Sequence, residues 1–355
     1  MIAGPYKVGH ETIKVVSRDG SRARTVDVWY PADLSASGPH TRYSEAALPS
    51  LGFDSSLAFE HVPVSKDRPF PLVVYSHGSG ALRFIAGFFT ETLASHGFVV
   101  VSADHTGDTA LDLLAGHPST PAEEPATIAS RVADVRLTVD AVLARSAATR
   151  DALSGSVDAN RIGITGHSYG GLTAFAAVAG ASPLPGVSIP RDRRFKVVVT
   201  MDATPELLTT ADLANVHVPV MSIAGSALYP AAASFWYNTN ADPFVEVRLD
   251  RAAHDTFTDI CAYGKLVPAY PNAPKIVAAY ITALAKESCT PPNMPAGRVH
   301  DLTNRFAIAF LERYLAGDKR YDHYLTQIPA DGHSDVHVTH PTPITSQLPS
   351  ETPMP

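Results

Sequence analysis

The pentapeptide GHSYG at residues 166–170 places Ser168 between two glycines. The apolar run "RIGIT", typical of a strand, precedes it, and "GLTAFAAVAGA", typical of a helix, follows it from Gly171. A serine at such a bend takes strained backbone angles that only small neighbours allow, and the start of the helix favours a developing negative charge. The pattern predicts that Ser168 is the nucleophile of an acyl-transfer reaction, with a structural turn as the alternative.

His254 is the predicted base. A serine hydroxyl needs a base, the base needs an orienting carboxylate, and chains with this motif carry them in the order Ser, acid, His. Among the 15 histidines, His254 follows the last predicted strand, "FVEVRLD", and so lies level with Ser168. A surface histidine is the alternative. His333, His337 and His340 lie in a Pro-, Ser- and Thr-rich segment, where we expect solvated side chains rather than metal ligands.

Two aspartates compete for the part of the acid. Asp202 ends the apolar run "FKVVVTMD", which should bring it to the same sheet edge as Ser168 and His254. Asp242 is the alternative, although it lies well downstream of the next-to-last predicted strand. Capping a helix is the alternative role for Asp202.

An oxyanion formed at Ser168 would need two backbone N–H donors. The residue after the nucleophile, Tyr169, supplies one. The loop "HGSG" at residues 77–80 follows the strand-like run "PLVVYS" and is rich in glycine, so its backbone can approach a substrate. We expect the second donor from Ser79, with Gly78 or a turn without function as alternatives.

The substrate pocket is harder to predict. Loops near the expected site carry large apolar side chains, namely those of Leu82, Tyr229, Trp236 and Phe257. The stretch "SALYPAAASFWYNTNADP" is the most aromatic of these loops, and its rings would suit an acyl chain or a polyester segment. Each of these residues has a place in the core as its alternative.

Composition excludes several function classes. The 355-residue chain is 45% hydrophobic and has a net charge of −7 with no basic cluster, so nucleic acid is not an expected partner. No apolar run reaches the roughly 20 residues of a membrane helix, and no export signal is visible. Cys261 and Cys289 either pair in a disulfide, which would indicate an oxidising compartment and favour a secreted or periplasmic form, or remain free thiols.

Strand-like and helix-like segments alternate from residue 71 onward. This order predicts an α/β fold with a mostly parallel central sheet and helices on both faces. The clearest helix spans residues 126–147, with Ile128, Val132 and Val135 on an apolar face and Arg and Asp residues opposite. We expect one domain over residues 1–327, with a surface excursion at residues 33–68, and a disordered tail over residues 328–355.

Five motifs together, "PLVVYSHGSGALRF", "LASHGFVVVSADH", "GHSYGG", "MDATPE" and "AAHDTFTD", resemble the α/β-hydrolases of the platelet-activating-factor acetylhydrolase branch, near bacterial predicted dienelactone hydrolases. The resemblance covers roughly residues 65–265. It implies Ser168 as nucleophile, His254 as base and the amides of Ser79 and Tyr169 as oxyanion donors. It also implies Asp202 rather than Asp242 as the acid, and calcium-independent ester cleavage.

These observations predict a serine hydrolase that cleaves carboxylic esters through an acyl-enzyme, with no metal or organic cofactor. The expected substrates are small-molecule esters of short to medium acyl chains, or polyester segments, and no protein partner is evident. An amidase or peptidase of the same fold, and a binding protein without catalysis, are the alternatives.

Overall fold

The computed structural model describes residues 3–45, 52–67, 69–117, 120, 123–203, 207–228, 238–326 and 334–340. The strands of these segments are β1 (Lys7–Val16), β2 (Ala23–Ala32), β3 (His40–Ser44), β4 (Gly52–Glu60), β5 (Phe70–Ser76), β6 (Val99–Ala103), β7 (Val157–His167), β8 (Ala181–Leu184), β9 (Val187–Ile189), β10 (Phe195–Met201), β11 (Val220–Gly225), β12 (Phe244–Leu249) and β13 (Val336–Thr339). The helices are α1 (Gly87–Ser95), α2 (Ala110–Leu114), α3 (Glu124–Ala147), α4 (Tyr169–Ala179), α5 (Thr210–Leu213), α6 (Ile260–Leu266), α7 (Lys275–Ser288), α8 (Ala296–Leu311) and α9 (Asp322–Thr326).

Eleven of these strands form one sheet in the order β13-β12-β11-β10-β7-β5-β6-β2-β1-β4-β3. The six strands from β6 to β12 in that order pair in parallel. All residues of β5 and of β6 are buried, as expected for apolar runs covered on both faces. Strands β1 and β2 add an antiparallel wing. The predicted mostly parallel sheet is confirmed.

Helices cover both faces of this sheet. Helices α3 and α4 pack on one face, where Val132 and Phe175 belong to one core cluster. Helices α1 and α8 pack on the other face, where Leu93 and Phe310 belong to a second cluster. The carboxyl ends of the parallel strands therefore meet at one edge, which is where ligands bind in such sheets.

Three regions differ from the expectations. The excursion at residues 33–68 contains β3 and β4, which extend the sheet beyond β1. The expected tail contains β13, which pairs with β12 and buries Val336. Helices α6 and α7 were not foreseen. Strands β3, β4 and β13 are short or carry many polar residues, so the apolar periodicity of their sequences is weak. Pairing with a neighbouring strand stabilises them.

Helix α3 forms as predicted, but two of its charged residues are buried. Arg131 is 1% exposed and the side chain of Asp134 is fully buried. Asp134 accepts hydrogen bonds from Arg22 Nη1 at 2.5 Å and from Arg24 Nε at 2.6 Å. Arg22 and Arg24, which lie at the start of β2, therefore cover Asp134 and offset its charge.

Candidate active site

Ser168 lies at the sharp turn between β7 and α4, with φ 55° and ψ −126°. A side chain on Gly166 would place its Cβ 2.3 Å from the main chain of Gly170. A side chain on Gly170 would place its Cβ 1.9 Å from the carbonyl oxygen of Ser76. Real Cβ atoms do not approach so closely, so both glycines are required for the turn that holds Ser168.

His254 connects Ser168 to a carboxylate. It lies in a short 3₁₀ turn after β12, level with the end of β7. Its Nε2 is 2.8 Å from Ser168 Oγ, and its Nδ1 is 2.6 Å from Asp202 Oδ2. Because Nδ1 faces a carboxylate, it carries the proton, and Nε2 is then free to accept the hydroxyl proton of Ser168. The structure thus brings together the three side chains that the sequence singled out.

Asp202 is fixed from several sides. It follows β10 directly, has a φ of 45° and is 2% exposed. Its N–H donates to the carbonyl of Ile223 at 2.7 Å, and its Oδ1 accepts the N–H of Gly225 at 2.8 Å. One carboxylate oxygen is therefore held by β11, which leaves the other to orient His254.

Asp242 lies elsewhere. It is exposed and precedes β12, so it is placed at the amino end of a parallel strand. Ser168, Asp202 and His254 all follow the carboxyl ends of their strands. The carboxylate against His254 in the structure is Asp202.

Opposing effects act on the pKa of His254. Burial lowers it, but the hydrogen bond and negative charge of Asp202, with the charge of Asp255, outweigh burial and raise the pKa above 6.5. Asp202 therefore stabilises the imidazolium that forms when His254 takes a proton.

His167 has a role that the sequence did not reveal. Its buried Nε2–H donates to the main-chain carbonyl of His254 at 2.9 Å, and the two ring centres are 4.6 Å apart. Burial, followed by the positive charge of a protonated His254, lowers the pKa of His167 well below its usual value, so the ring is neutral. His167 thus anchors the turn that carries His254.

The glycine loop, residues 77–80, passes beside Ser168. A Cβ on Gly78 would lie 3.3 Å from Ser168 Cβ. The Gly78 carbonyl accepts from His77 Nδ1 at 2.7 Å and from the N–H of Ala81 at 3.3 Å. Because a trans peptide directs its C=O and N–H oppositely, the N–H of Ser79 points away from these donors. Tyr169 is the first residue of α4, next to Ser168.

A cavity of about 220 Å³ opens at Ser168 and is mostly apolar. The cap, which we define as residues 260–288 with α6 and α7, forms one wall, and β3 and β4 form another. The two walls touch, since the Tyr263 and Phe53 rings are 4.7 Å apart and Tyr270 Oη donates to the carbonyl of Gly52. Cap side chains that line the cavity include Leu266, Val277, Tyr280, Ile281 and Leu284.

Charged groups at the cavity wall have partners. The carboxylate of Glu45 pairs with Arg83, which also lies 2.7 Å from Asp104 and 3.0 Å from Asp27. Asp255 accepts a hydrogen bond from Ser288 Oγ at 3.2 Å. The charge of Glu45 is therefore paired with a cation, and Asp255 is held by a neutral hydroxyl.

The expected pocket residues have different outcomes. Leu82 lines the cavity. Phe257 does not line the cavity, because its side chain is completely buried in the core. Its ring centre is 6.4 Å from that of His167. Tyr229 and Trp236 lie outside the described residues. The cap, which supplies much of the wall, was not predicted from the sequence.

Cys261 and Cys289 form a disulfide that joins the first turn of α6 to the residue after α7. The two helices of the cap are thereby linked at their ends. Of the expected tail histidines, His337 contacts Asp250 at 2.9 Å, His340 is exposed and His333 lies outside the described residues. Within the described segments, no group of three or more His, Cys, Asp or Glu side chains is placed to hold a metal ion.

Comparisons with known proteins bear on the fold and on the class of protein. The family profile "Platelet-activating factor acetylhydrolase, isoform II" matches residues 51–134, a segment that ends before Ser168. The platelet-activating factor acetylhydrolase of Cavia porcellus is 20% identical, over 92% of this chain and 80% of that protein. The enzyme of the same name from Canis lupus familiaris is 21% identical, over 74% of this chain and 61% of that protein.

The solved structure of a ferulic acid esterase from Streptomyces cinnamoneus superposes on this chain with a TM-score of 0.69 and a sequence identity of 21%. The alignment covers 96% of this chain and 98% of the esterase chain. The fold is thus that of the α/β-hydrolases, and the class of protein is the carboxylic ester hydrolases. Within that class, the chain is similar to the platelet-activating factor acetylhydrolases. No helix in the described part of the chain has the length and apolarity needed to span a bilayer.

Proposed function

We propose that the protein cleaves carboxylic esters in two steps through an acyl-enzyme on Ser168. His254 takes the hydroxyl proton as Ser168 attacks the ester carbonyl, and then gives it to the leaving alcohol. Asp202 keeps the imidazole in the useful tautomer. The observation that carries this proposal is the unbroken chain of hydrogen bonds from Ser168 through His254 to Asp202, at the floor of an apolar cavity.

Deacylation uses the same groups in reverse. His254 activates a water that attacks the acyl-enzyme, and the amides of Ser79 and Tyr169 hold the oxyanion in both steps. Supporting this, the main chain of the glycine loop lies beside Ser168, and α4 begins at the residue after it. Losing one such donor costs about 3–4 kcal/mol of barrier in a well-studied serine hydrolase.

The proposed substrates are neutral esters with a short or medium acyl group. A cavity of about 220 Å³ lies below the range of roughly 300–1,000 Å³ found for drug-sized ligands. The walls are apolar, and the carboxylates of Glu45 and Asp255 are occupied by protein partners. A negatively charged acyl group would lose its hydration there without gaining a counter-ion.

A series of p-nitrophenyl esters from acetate to palmitate tests the proposal. We expect turnover to be greatest among the short or medium acyl chains and to fall toward palmitate, with p-nitroanilides of the same acyl groups cleaved far more slowly. A fluorophosphonate probe should label Ser168, as read by peptide mass spectrometry. Absence of ester turnover, or a label on another residue, would overturn the assignment.

The same assay separates the remaining alternatives. Faster cleavage of the anilides than of the esters would indicate an amidase. Release of soluble acids from a suspended polyester film would extend the substrates to polymers. A chain that neither reacts with the probe nor cleaves any of these substrates would be a binding protein.

A further inference from the structure

A buried polar network lies beneath the glycine loop, and the proton transfers of the proposed mechanism do not pass through it. Its centre is the ion pair of Arg131 and Asp108, in which Nη1 and Oδ2 are 2.5 Å apart. The two side chains are 1% and 4% exposed. A buried ion pair is expensive to desolvate and rarely adds net stability, so its presence here suggests a purpose beyond stability.

Arg131 contacts both elements that flank Ser168. Its Nη2 donates to the carbonyl of His77 in the glycine loop. Its Nε donates to Thr173 Oγ1 at 3.0 Å, one turn into α4, and its guanidinium carbon is 5.1 Å from the ring centre of Tyr169. One planar side chain therefore fixes the spacing between the loop and the start of the helix.

Asp108 holds the glycine loop from the other end. Its Oδ2 takes the Arg131 bond, while its Oδ1 accepts the hydroxyl of Ser79 at 2.5 Å. Its carbonyl accepts the N–H of Gly80 at 3.3 Å. With the Gly78 carbonyl held by His77, the peptide between Gly78 and Ser79 is secured on both sides.

We propose that Arg131 and Asp108 are positioning residues that hold the amides of Ser79 and Tyr169 in the arrangement that stabilises the oxyanion. This inference rests on the proposed function. Neither side chain lines the cavity at Ser168. Preorganised donors are effective because they need not reorganise during the reaction, and a displacement near 1 Å can cost about 100-fold in rate.

Ser79→Ala is the sharpest test, because it removes the hydroxyl anchor and keeps the amide. Ser79 is exposed, so folding should be unaffected. We expect kcat for p-nitrophenyl butyrate to fall about tenfold with KM within twofold. The affinity for a phenylboronic acid, which forms a tetrahedral adduct on the nucleophile, should fall by a similar factor.

Ser35→Ala is the matched control. The hydroxyl of Ser35, like that of Ser79, donates to an aspartate. Its partner is Asp33, at 2.6 Å, and both residues lie on the exposed surface. We expect kcat and boronate affinity to equal those of the wild type. If Ser79→Ala also leaves both unchanged, or raises KM with kcat intact, the positioning role is wrong.

The buried pair is tested by a double substitution, because removing one partner leaves an unpaired buried charge and can prevent folding. Arg131→Met with Asp108→Leu removes both charges together. We expect a folded protein by circular dichroism, with kcat lower by about 100-fold and KM little changed. A folded double variant with kcat within threefold of the wild type would overturn the proposal, and so would an unfolded one if Ser79→Ala is without effect.

Labelling of the wild type with the fluorophosphonate probe distinguishes two failures. If Ser168 is labelled and Ser168→Ala is inactive, but Ser79→Ala behaves as the wild type, the positioning role fails and the proposed function stands. If Ser168 is not labelled and ester turnover survives Ser168→Ala, the proposed function fails, and the inference fails with it.

Discussion

Ser168 lies between two regions of opposite chemical character. On one side, charged side chains that include Arg131, Asp108 and Asp134 are sealed from water and joined in ion pairs. On the other side, the cap and the β3–β4 pair enclose an apolar cavity. The first region contacts the main chain around Ser168, whereas the second contacts the space that a substrate would fill.

The two regions should respond differently to substitution. Buried polar groups need every partner, because an unpaired charge in a low dielectric is costly, so the polar side tolerates little change. Apolar walls need only volume and shape, and they accept changes of size at modest cost. We therefore expect changes on the polar side to alter rate, and changes on the apolar side to alter which ester is preferred.

The largest effect should come from the residues between the two regions. Ser168→Ala and His254→Ala should each lower kcat by about 10⁴- to 10⁶-fold, since either change removes the acyl-enzyme route. Turnover of p-nitrophenyl butyrate measures this loss, and a thermal melt checks that each variant is folded. Retention of more than a few per cent of wild-type kcat would break the comparison, because the chemistry would then lie elsewhere.

Asp202→Asn should lower kcat by about 10⁴-fold, because an amide favours the wrong tautomer of His254. Asp242→Asn is the matched control, and its exposed side chain should leave kcat unchanged. The same assay applies to both variants. A large loss in Asp242→Asn with none in Asp202→Asn would contradict the arrangement at the strand ends.

The pH dependence sharpens this prediction. Protonated His254 cannot accept the proton of Ser168, so kcat/KM must fall as pH drops through the His254 pKa. Because Asp202 outweighs burial and raises that pKa, the acid limb of the wild type should lie above pH 6.5. In Asp202→Asn, the limb of the residual activity should move to lower pH. A limb that does not move would exclude Asp202 as the cause.

Loss of the disulfide should act on the apolar side. The variant with Cys261→Ser and Cys289→Ser loses a closure between residues 28 apart. The chain-entropy estimate gives a decrease of about 3–4 kcal/mol in the free energy of unfolding. Guanidinium denaturation measures this decrease. We expect turnover of p-nitrophenyl acetate to change little. An equal loss of turnover for esters of every acyl length would show that the cap also supports the polar side.

The smallest effect should come from the cavity wall. Ile281→Ala enlarges the cavity from α7 and should shift the ratio of kcat/KM for longer over shorter acyl chains by about five- to tenfold, the low end of the roughly 1–3 kcal/mol that one methylene is worth in an apolar pocket. Ile276→Ala is the control on the same helix, where the side chain is 64% exposed. An equal shift in both variants would indicate a general loosening of the cap.

Much of the candidate site follows from local patterns. Strand "RIGIT" with the glycines around Ser168 predicts the turn, and "FKVVVTMD" and "FVEVRLD" place Asp202 and the loop of His254 after strands. Because parallel strands end at one edge, these residues could be grouped without a structure. The glycine loop follows β5 by the same rule.

The polar side could not be predicted in this way. Periodicity shows which face of α3 is apolar, but it does not show that the N-terminal wing covers Asp134. Nor does it show that Arg131, on the side opposite the apolar face, is buried against Asp108. The prediction that Phe257 lines the pocket was wrong. Phe257 is close to His254 in sequence, but its side chain is buried in the core.

The sequence by itself determined the order of the central parallel strands, the turn at Ser168 and the edge at which the chemistry lies, because these depend on residues a few positions apart. The tertiary structure decided which carboxylate meets His254, 52 residues away in sequence, and which groups Arg131 joins, 54 residues from His77. It also decided the cavity, whose cap and β3–β4 walls come from distant segments. Contacts between distant residues depend on how the elements pack together, and local spacing carries no record of that packing.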